Sequence, residues 1–312
     1  MTISKTETVL KIIQLGRLKL PLIAFLLFLF GVLLAVVSGV CFAVDRFLLG
    51  SAIMLAAVLS VNYGNDYFDV ELDRYSKRTA FSGGSGILQE NPELRDFAKW
   101  FALVMMSLSI IFAAIFTVVF SYSTFFFAFV VVGNLLGWFY AAPPLRLSYR
   151  GFSEITTVVA VGLMLPSLGY LILKASLDLV FGVFALPCML YALAFIICVE
   201  IPDMESDLHG NKNTLVVRKG RKFGFTLIII SVSLASLCFP IAQLANFVHL
   251  PVDFRLILLL SLLPLFLGVL GLVRKTEDRN IATKSVSYEI SGLTVFLLIV
   301  NCYLSILAHI IP

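Results

Sequence analysis

Long apolar runs alternate with short polar segments along the whole chain. Nine of these runs are each long enough to cross a bilayer core of about 30 Å, at about 20 residues per helix. In lipid they must be helical, because every backbone N–H and C=O group needs a partner within the segment. The pattern predicts an all-α integral membrane protein, one domain over residues 1–312. The predicted spans are 21–42, 47–64, 100–119, 123–141, 154–174, 178–200, 224–246, 254–273 and 287–311.

The composition and the charge distribution also indicate a membrane protein, and the charges indicate how it is oriented in the membrane. Of 312 residues, 60% are hydrophobic and 13% are charged, too few charges to cover a soluble domain. Nine spans place nearly all of the 23 lysines and arginines on the face that carries the N-terminus; Arg46, Lys174 and Arg255 are the exceptions. By the positive-inside rule that basic face is cytoplasmic, as expected in a cell (inner) membrane. The net charge of +4 therefore reflects topology and gives no reason to expect a nucleic-acid partner.

Two polar segments on the basic face stand out by length and acidity. They cover residues 65–99 and 201–223 and follow the second and sixth spans. Each begins with acidic residues and then becomes glycine-rich and basic. The interval of four spans predicts two four-helix units followed by a final helix, an arrangement in which repeats meet around a central site.

The first acidic segment places oxygen ligands at helical spacing. Asn65, Asp69 and Asp73 recur every four residues, so on a continued helix each lies only about 40° beyond the last. Asp66 lies close beside this stripe. Carboxylates four apart repel each other unless a cation lies between them, so the spacing favours a metal site.

The second acidic segment repeats that spacing with Asp203 and Asp207, while Glu205 points roughly the opposite way. One such pair is typical of solvated loop acids. Two pairs at equivalent positions near a membrane boundary favour a functional site. Hard oxygen ligands select Mg²⁺ or Ca²⁺, and Mg²⁺ is commonly shared between one or two carboxylates and a substrate's phosphates. We therefore predict that the two clusters hold a diphosphate through Mg²⁺.

Basic side chains near both segments suit the same substrate. Arg146 and Arg150 follow Pro143 and Pro144, which end a helix abruptly, and the second segment adds Lys212 and Arg218. All four are candidate diphosphate ligands, although Arg150, Lys212 and Arg218 are equally explained by membrane topology. The glycine-serine run at residues 82–86 offers a bare backbone to a phosphate or a flat ring, and a flexible loop explains it equally well.

Three motifs together resemble the UbiA superfamily of intramembrane prenyltransferases. Its members carry NxxxDxxxD after helix 2, DxxxD after helix 6 and a YxxPPxR-type stretch between them. In this chain those motifs are Asn65-Asp69-Asp73, Asp203-Asp207 and Tyr140-Ala-Ala-Pro143-Pro144-Leu-Arg146. The Gly-Lys-x-Thr-Leu tail of the second motif has one extra residue, running from Gly210 through Lys212 to Leu215.

The resemblance implies nine helices around a central cavity and an enzyme that transfers a polyprenyl group. The metal ligands would be Asn65, Asp69, Asp73, Asp203 and Asp207, with Mg²⁺ as cofactor and a polyprenyl diphosphate as donor. Ionisation would give an allylic carbocation that an electron-rich aromatic ring attacks. Tyr140 is the candidate whose ring face stabilises that cation. A lipid-facing opening would leave the apolar tail in contact with membrane lipid.

The acceptor is harder to assign from the sequence. The run at residues 77–86 is more similar to the MenA branch, which prenylates 1,4-dihydroxy-2-naphthoate in menaquinone biosynthesis, than to the RPLPSG-like stretch of many other members. Other acceptors remain open: 4-hydroxybenzoate, another quinone precursor, geranylgeranylglyceryl phosphate or a porphyrin. An alternative of another class is an ion-coupled transporter, although transporter acids usually lie at mid-membrane in broken helices.

Overall fold

The structure, a computed structural model, describes residues 5–79, 81–245, 250–274 and 276–310. These residues form α-helices and short connections, with no β-strand among them. The helices in chain order are α1 (Lys5–Leu15), α2 (Lys19–Val37), α3 (Val44–Phe68), α4 (Val70–Asp73), α5 (Ile87–Glu90), α6 (Arg95–Val119), α7 (Thr124–Ala141), α8 (Ser153–Thr157), α9 (Leu165–Lys174), α10 (Leu179–His209), α11 (Leu215–Lys219), α12 (Arg221–Ala245), α13 (Phe254–Val273) and α14 (Arg279–Ile310).

Nine segments of this described chain are long and apolar enough to span a membrane, which confirms the predicted fold class. Eight are α2, α3, α6, α7, α10, α12, α13 and α14, and the ninth runs from Ser153 to Lys174. The predicted ends at residues 246 and 311 lie outside the described residues. The arrangement as two four-helix units plus one helix remains a prediction.

Several helices are longer than the apolar pattern predicted. Helix α10 continues to His209, beyond the predicted end of its span at residue 200. Asp203 and Asp207 therefore lie on a helix, in agreement with their spacing. Helix α14 begins at Arg279 instead of residue 287. The reason is the same in both cases: hydropathy detects only the part of a helix that faces lipid or core, and the polar turns beyond it are helical too. The short helix α1 was not predicted.

The fifth span contains a π-helical segment. Residues Val158–Met164 form a π-helix between α8 and α9, and Pro166 follows at the start of α9. Proline lacks the backbone N–H that a regular turn requires, which favours irregular hydrogen bonding here. A Cβ at Gly162 would clash with α10 at Met189 and Ala192, so the two backbones approach closely. Such bulges often occur at functional sites.

Small residues and one amide hold α2 in the middle of the bundle. A Cβ at Gly31 would strike the backbone of α9, and one at Gly169 would strike the backbone of α2. On its other side, the Asn301 amide in α14 donates to the carbonyl oxygen of Leu26 at 2.9 Å. Close contact between small residues and interhelical hydrogen bonds are the usual means of helix association in membranes.

Helix α1 is docked beside the end of α3. The Tyr63 hydroxyl donates to the Ile12 carbonyl at 2.6 Å, and the Asn62 amide donates to the Gly16 carbonyl at 3.0 Å. These two bonds fix the turn between α1 and α2. Arg17 lies in that turn with a φ of 46°. It follows directly after Gly16, whose carbonyl is held by α3 through Asn62.

Candidate active site

A cavity of about 330 Å³ opens between α2, α3, α7, α10 and the fifth span. Its inner part is lined by apolar residues such as Ile53, Met54, Val130 and Leu168. Its outer end, at the basic face, is polar. The lining there comprises Arg17, Asn62, Asn65, Asp66, Asp69, Asp73, Ser82, Gly83, Gly84, Tyr140, Asp203, Asp207 and Lys212. Both acidic motifs therefore face one cavity, although more than 120 residues separate them.

The first motif keeps helical geometry past the end of α3. Asp69 interrupts the helix, with φ −94° and ψ 5°. The hydrogen bonds nevertheless continue, from the Asp69 amide to the Asn65 carbonyl at 2.8 Å and from the Asp73 amide to the Asp69 carbonyl at 2.9 Å. The side chains at 65, 69 and 73 consequently share one face, which lines the cavity.

The second motif lies on the last two turns of α10. Asp203 and Asp207 line the cavity, and Asp207 is buried. Glu205 turns away and pairs with Arg221, and with Arg279 at 3.4 Å. Arg279 also donates two bonds to the Pro202 carbonyl, at 2.9 and 2.8 Å. Glu205 thus ties α10 to α12 and α14, while the aspartates on the opposite side remain directed at the cavity.

Lys212 connects the two motifs. Its ammonium group donates to Oδ2 of Asp69 at 2.8 Å, and its backbone amide donates to the Asp207 carbonyl at 2.8 Å. Both charged side chains are about nine-tenths buried, at 12% exposure for Lys212 and 9% for Asp69. Burial by itself would lower the pKa of Lys212, but the charges of Asp69 and Asp207 raise it well above its usual value. Lys212 therefore stays positively charged inside the site.

The acid cluster carries more negative charge than Lys212 neutralises. Burial, and then the charges of Asp69 and Asp66, raise the pKa of Asp73 to about 8. A carboxyl group with that pKa holds a proton at neutral pH unless a cation replaces it. The cluster therefore favours binding of an additional cation.

The glycine-serine loop covers the cavity between the motifs. The Gly83 amide donates to Oδ2 of Asp203 at 3.1 Å, and the Ser85 amide donates to Oδ2 of Asp66 at 3.2 Å. At Gly84, with a φ of +65°, a Cβ would overlap the carboxylate of Asp73. Only glycine allows both this backbone conformation and this close approach. The loop thus contacts acids from both motifs through bare backbone.

Arg17 is a cavity residue that the sequence analysis missed. Its guanidinium donates to the Phe81 carbonyl at 2.8 Å, and its charge acts on Asp66 and Asp203. In the sequence analysis, Arg17 was attributed to membrane topology alone, like most lysines and arginines of the basic face. Nothing in the local sequence distinguishes Arg17 from the neighbouring basic residues. Its side chain reaches the cavity because of the turn after α1, which is known only from the structure.

Tyr149 is a second residue that the sequence did not single out. Its hydroxyl donates to Oδ1 of Asp69 at 2.7 Å, and the ammonium of Lys212 lies 5.2 Å from its ring centre. Burial, and then the charge of Asp69, raise the pKa of this hydroxyl above its usual value. Tyr149 therefore remains a hydrogen-bond donor that orients Asp69.

The predicted basic ligands occupy different positions. Only Lys212 lines the cavity. Arg146 is exposed and stacks on Tyr149, with its guanidinium carbon 3.8 Å from the ring centre. Arg150 is exposed and donates to the Pro144 carbonyl at 3.0 Å, and Arg218 is exposed on α11. Arg146 thus reaches the site through Tyr149, whereas Arg150 and Arg218 lie outside the cavity lining.

Tyr140 lines the cavity from the end of α7. Its hydroxyl shares a 2.8 Å hydrogen bond with the Ser153 hydroxyl, which holds the ring in place. The adjacent Glu154 carboxylate is buried and accepts a bond from the Leu215 amide. That bond anchors the start of α11, directly after the loop that carries Lys212.

The donor set at the polar end suits a hard divalent cation. The polar end of the cavity presents two asparagine amides and five carboxylates, and Oδ1 of Asp203 is buried without a hydrogen-bond partner. Across the ranges that the structure describes, no three acidic, histidine or cysteine side chains come close enough to hold a metal by themselves. Magnesium seldom has an all-protein cage and takes substrate phosphates and water as its remaining ligands. The residues fit that mode of binding.

Comparison with known proteins shows which family and which solved structures this chain resembles. The model of the UbiA prenyltransferase family matches residues 24–300. A solved structure from work on digeranylgeranylglyceryl phosphate synthase covers 94% of this chain and 98% of its own, with a TM-score of 0.64 and 16% identity. A UbiA homologue from Archaeoglobus fulgidus, bound to GPP and Mg²⁺, covers 90% and 99%, with a TM-score of 0.64 and 16% identity.

One curated relative is similar over part of its length. The 1,4-dihydroxy-2-naphthoate octaprenyltransferase of Bacillus subtilis (strain 168) is 25% identical over 105 residues. The similar region spans 34% of this chain and 34% of that relative, about one third of each protein.

Proposed function

The chain belongs to the UbiA prenyltransferase family, and on this basis we propose that it transfers a polyprenyl group to 1,4-dihydroxy-2-naphthoate in menaquinone biosynthesis. The family is established by the match of its model to residues 24–300. The prenyl diphosphate donor is part of our proposal, and the homologue bound to GPP and Mg²⁺ supports it. The aromatic acceptor, the Mg²⁺ dependence of this chain and the roles of its residues are our proposals.

One observation carries the assignment of the site: acids from two distant segments share a cavity with two cations. Asp69 and Asp73 come from the first motif, and Asp203 and Asp207 from the second. An ordinary solvated loop would leave them exposed and apart. Buried carboxylates with an embedded lysine instead match the needs of a diphosphate held through a divalent metal.

The binding end of the site would hold the donor's diphosphate. Lys212 and Arg17 line the same cavity and would stabilise the negative charge that increases on the diphosphate when its bond to the allylic carbon breaks. Asn65, Asp69, Asp73, Asp203 and Asp207 would hold Mg²⁺, which neutralises diphosphate charge when bound. Tyr149 and Glu154 keep Asp69 and the Lys212 segment in position.

The inner end of the site would protect and direct the carbocation. Its lining is apolar, so water is excluded from a cation that it would otherwise capture. Tyr140 lines the polar end of the cavity, and the face of its ring would stabilise positive charge on the allylic carbon. The acceptor's ring carbon then forms the new C–C bond and loses a proton or CO₂, which restores aromaticity.

The acceptor proposal rests on two observations. The glycine-serine loop, which contacts both motifs, is more similar to that of the dihydroxynaphthoate branch than to the RPLPSG-like stretch of many other members. The partly matching relative from Bacillus subtilis has that acceptor in its name. We further propose that the basic face, with the N-terminus and the active site, faces the cytoplasm in a cell membrane. The excess of lysine and arginine on this face supports that orientation.

The test is a Mg²⁺-dependent transfer assay with several acceptors in parallel. Membranes containing the protein receive labelled polyprenyl diphosphate with dihydroxynaphthoate, 4-hydroxybenzoate, geranylgeranylglyceryl phosphate or a porphyrin. We expect prenylated dihydroxynaphthoate to dominate. A different dominant product would overturn the acceptor proposal, and ion movement without any consumption of prenyl diphosphate would favour the transporter alternative.

Variants then test the site itself. Asp69→Asn and Asp203→Asn should each reduce turnover by about a hundredfold or more, as loss of a preorganised electrostatic group does. Glu71→Gln is the matched control, because Glu71 lies between Asp69 and Asp73 but is exposed and pairs with Arg74. Near-normal turnover in either aspartate variant, with the protein still inserted, would contradict the proposed site.

A further inference from the structure

Helix α1 is docked at the basic face of the bundle and does not belong to the spans. Its 11 residues measure about 16 Å, too short to cross a bilayer core of about 30 Å. Its C-terminal end is held by Tyr63, which donates to the Ile12 carbonyl, and by the neighbouring Asn62. Both belong to the last turn of the apolar run predicted for α3. Helix α1 therefore lies where the apolar part of α3 ends.

Aromatic and basic side chains mark the same level as a membrane boundary. Tyr67 lies one turn, about 6 Å, beyond Tyr63 on α3. The Arg95 guanidinium carbon and the Lys99 ammonium lie 5.2 and 5.8 Å from the Tyr67 ring centre. The same ammonium lies 5.8 Å from the ring of Trp100, which is exposed. Tyrosine and tryptophan with long basic side chains concentrate where lipid meets water. Helix α1 is thus docked at this boundary.

Opposite sides of α1 have different surroundings. Val9, Leu10 and Ile13 are each about half exposed, and we name these three residues the outer face. At about 100° per residue they lie within an arc about 100° wide. Leu15, roughly opposite, is fully buried in one apolar cluster with residues of α5. The helix therefore packs on the protein with one side and presents an apolar surface with the other.

Exposed apolar side chains continue from α1 into the first span. Leu18, in the turn after α1, and Leu22, near the start of α2, are both exposed. Because α2 crosses the membrane, its exposed apolar side chains face lipid. The outer face, at the same boundary, extends this lipid-facing surface. Lipid is therefore the partner that its position and its chemistry favour.

Helix α1 and its turn also hold both ends of the segment that covers the active site. The Lys11 ammonium donates to Oδ1 of Asn91 at 2.8 Å, and the Arg17 guanidinium donates to the Phe81 carbonyl at 2.8 Å. Phe81 and Asn91 bracket the glycine-serine loop, whose amides contact both acidic motifs. A displacement of α1 would therefore move the loop and Arg17 together.

We propose that the outer face of α1 inserts into the lipid boundary of the basic face, and that this contact holds the glycine-serine loop and Arg17 at the active site. The partner is the layer of headgroups and first acyl carbons of that leaflet. Apolar side chains that enter this layer leave water, which is favourable. The insertion stands apart from the proposed function, and only its effect on donor binding rests on it.

Tryptophan quenching tests the insertion. Protein in bilayers carries either Val9→Trp or Gln14→Trp, and the emission of the wild type is subtracted. Gln14 is the matched control, because it is exposed on α1 about 140° around the helix from Val9. Lipids brominated near the headgroup end of the acyl chain should quench Val9→Trp about threefold more than Gln14→Trp, and aqueous acrylamide should give the reverse order. Equal acrylamide quenching of both would overturn the proposal. Absence of bromolipid quenching of Val9→Trp would do so too, because water or a second copy of the chain would then cover the face.

Hydrogen exchange tests the link to the loop without relying on activity. Replacing all three outer-face residues with serine should speed amide exchange in residues 81–91 by about threefold or more in bilayers, because the loop loses its support. The control replaces three exposed apolar residues of α12 (Leu234→Ser, Leu237→Ser and Ile241→Ser) and should leave this exchange unchanged. Wild-type exchange in the outer-face variant would overturn the link.

Kinetics test the consequence for the donor. The outer-face serine variant should raise the donor KM by about threefold with kcat close to that of the wild type, because Arg17 is displaced but not removed. An unchanged KM despite faster exchange in the loop would overturn this part of the proposal. An absence of transfer by the wild type would instead refute the proposed function, and quenching and exchange would still decide whether α1 inserts and holds the loop.

Discussion

Replacing Lys212 with methionine removes the positive charge that lies between the two acidic motifs. Methionine keeps most of the length and packing of the side chain, so the change isolates the ammonium group. In the wild type that group donates to Asp69 at 2.8 Å and faces Asp207 and the ring of Tyr149. The variant leaves a buried cluster of carboxylates with Arg17 as the remaining cation in the cavity lining.

The expected magnitudes follow from the burial of this pair. Removing one partner of a buried ion pair costs about 3–5 kcal/mol of stability, and the residual exposure of about one tenth favours the lower end. Bound Mg²⁺ would compensate for part of that loss by neutralising the acids. In catalysis, losing one charge-assisted contact of about 1.5–3 kcal/mol lowers kcat/KM for the donor by about 10- to 100-fold.

The assay combines stability and kinetics. Unfolding of purified protein is followed with EDTA and with Mg²⁺ plus pyrophosphate, and kcat/KM is measured for the prenyl donor. Lys212→Met should be strongly destabilised in EDTA and partly restored by Mg²⁺ and pyrophosphate. Lys219→Met is the control, because Lys219 is exposed on α11 nearby. Equal behaviour of the two variants, or a wild-type kcat/KM for Lys212→Met, would refute this reasoning.

Three further substitutions test the remaining parts of the site. Arg17→Gln should raise the donor KM by about tenfold, because the variant lacks the guanidinium that faces the acids. An unchanged KM in steady-state assays would show that Arg17 does not take part in donor binding. Gly84→Ala should reduce activity sharply, since its Cβ overlaps Asp73. Gly220→Ala is the control for backbone strain: it is also at positive φ but has open space around it, so it should lose much less activity. Similar kinetics for both variants would contradict the role of the loop. Arg146→Ala should raise the donor KM only about two- to fivefold, which corresponds to the free energy of an exposed cation–π contact. A decrease in kcat/KM as large as that of Lys212→Met would instead show that Arg146 contacts the donor directly.

Most of the fold was predictable because membrane insertion depends on apolar length. The spans were recognised because hydropathy alone decides whether a segment crosses lipid. Hydropathy does not show whether the polar residues beyond a span are helical. For this reason the continuation of α10 beyond residue 200 and the helix α1 were not predicted. The π-helix at residues 158–164 is also invisible to an apolar pattern, since its residues are as hydrophobic as their neighbours.

The site was predictable where spacing carries the information. Residues four apart on one helix must share a face, so Asn65, Asp69 and Asp73 could be placed together from the sequence. Arg17 and Tyr149 could not, because tertiary contacts bring them to Asp66 and Asp69. For Arg150, spacing was misleading. It lies four residues after Arg146, as on one face of an α-helix, but residues 147–150 form a short 3₁₀-helix in which Arg150, the last residue, is exposed.

The central claim is that both acidic motifs bind divalent metal together with the same diphosphate. The direct measurement is titration calorimetry of Mg²⁺ into protein saturated with a non-reactive prenyl thiolodiphosphate. The wild type should bind Mg²⁺ far more tightly with this analogue than without it, and both Asp69→Asn and Asp203→Asn should lose that difference while Glu71→Gln keeps it. If either aspartate variant retains wild-type coupling between Mg²⁺ and the diphosphate, the two motifs do not form one site.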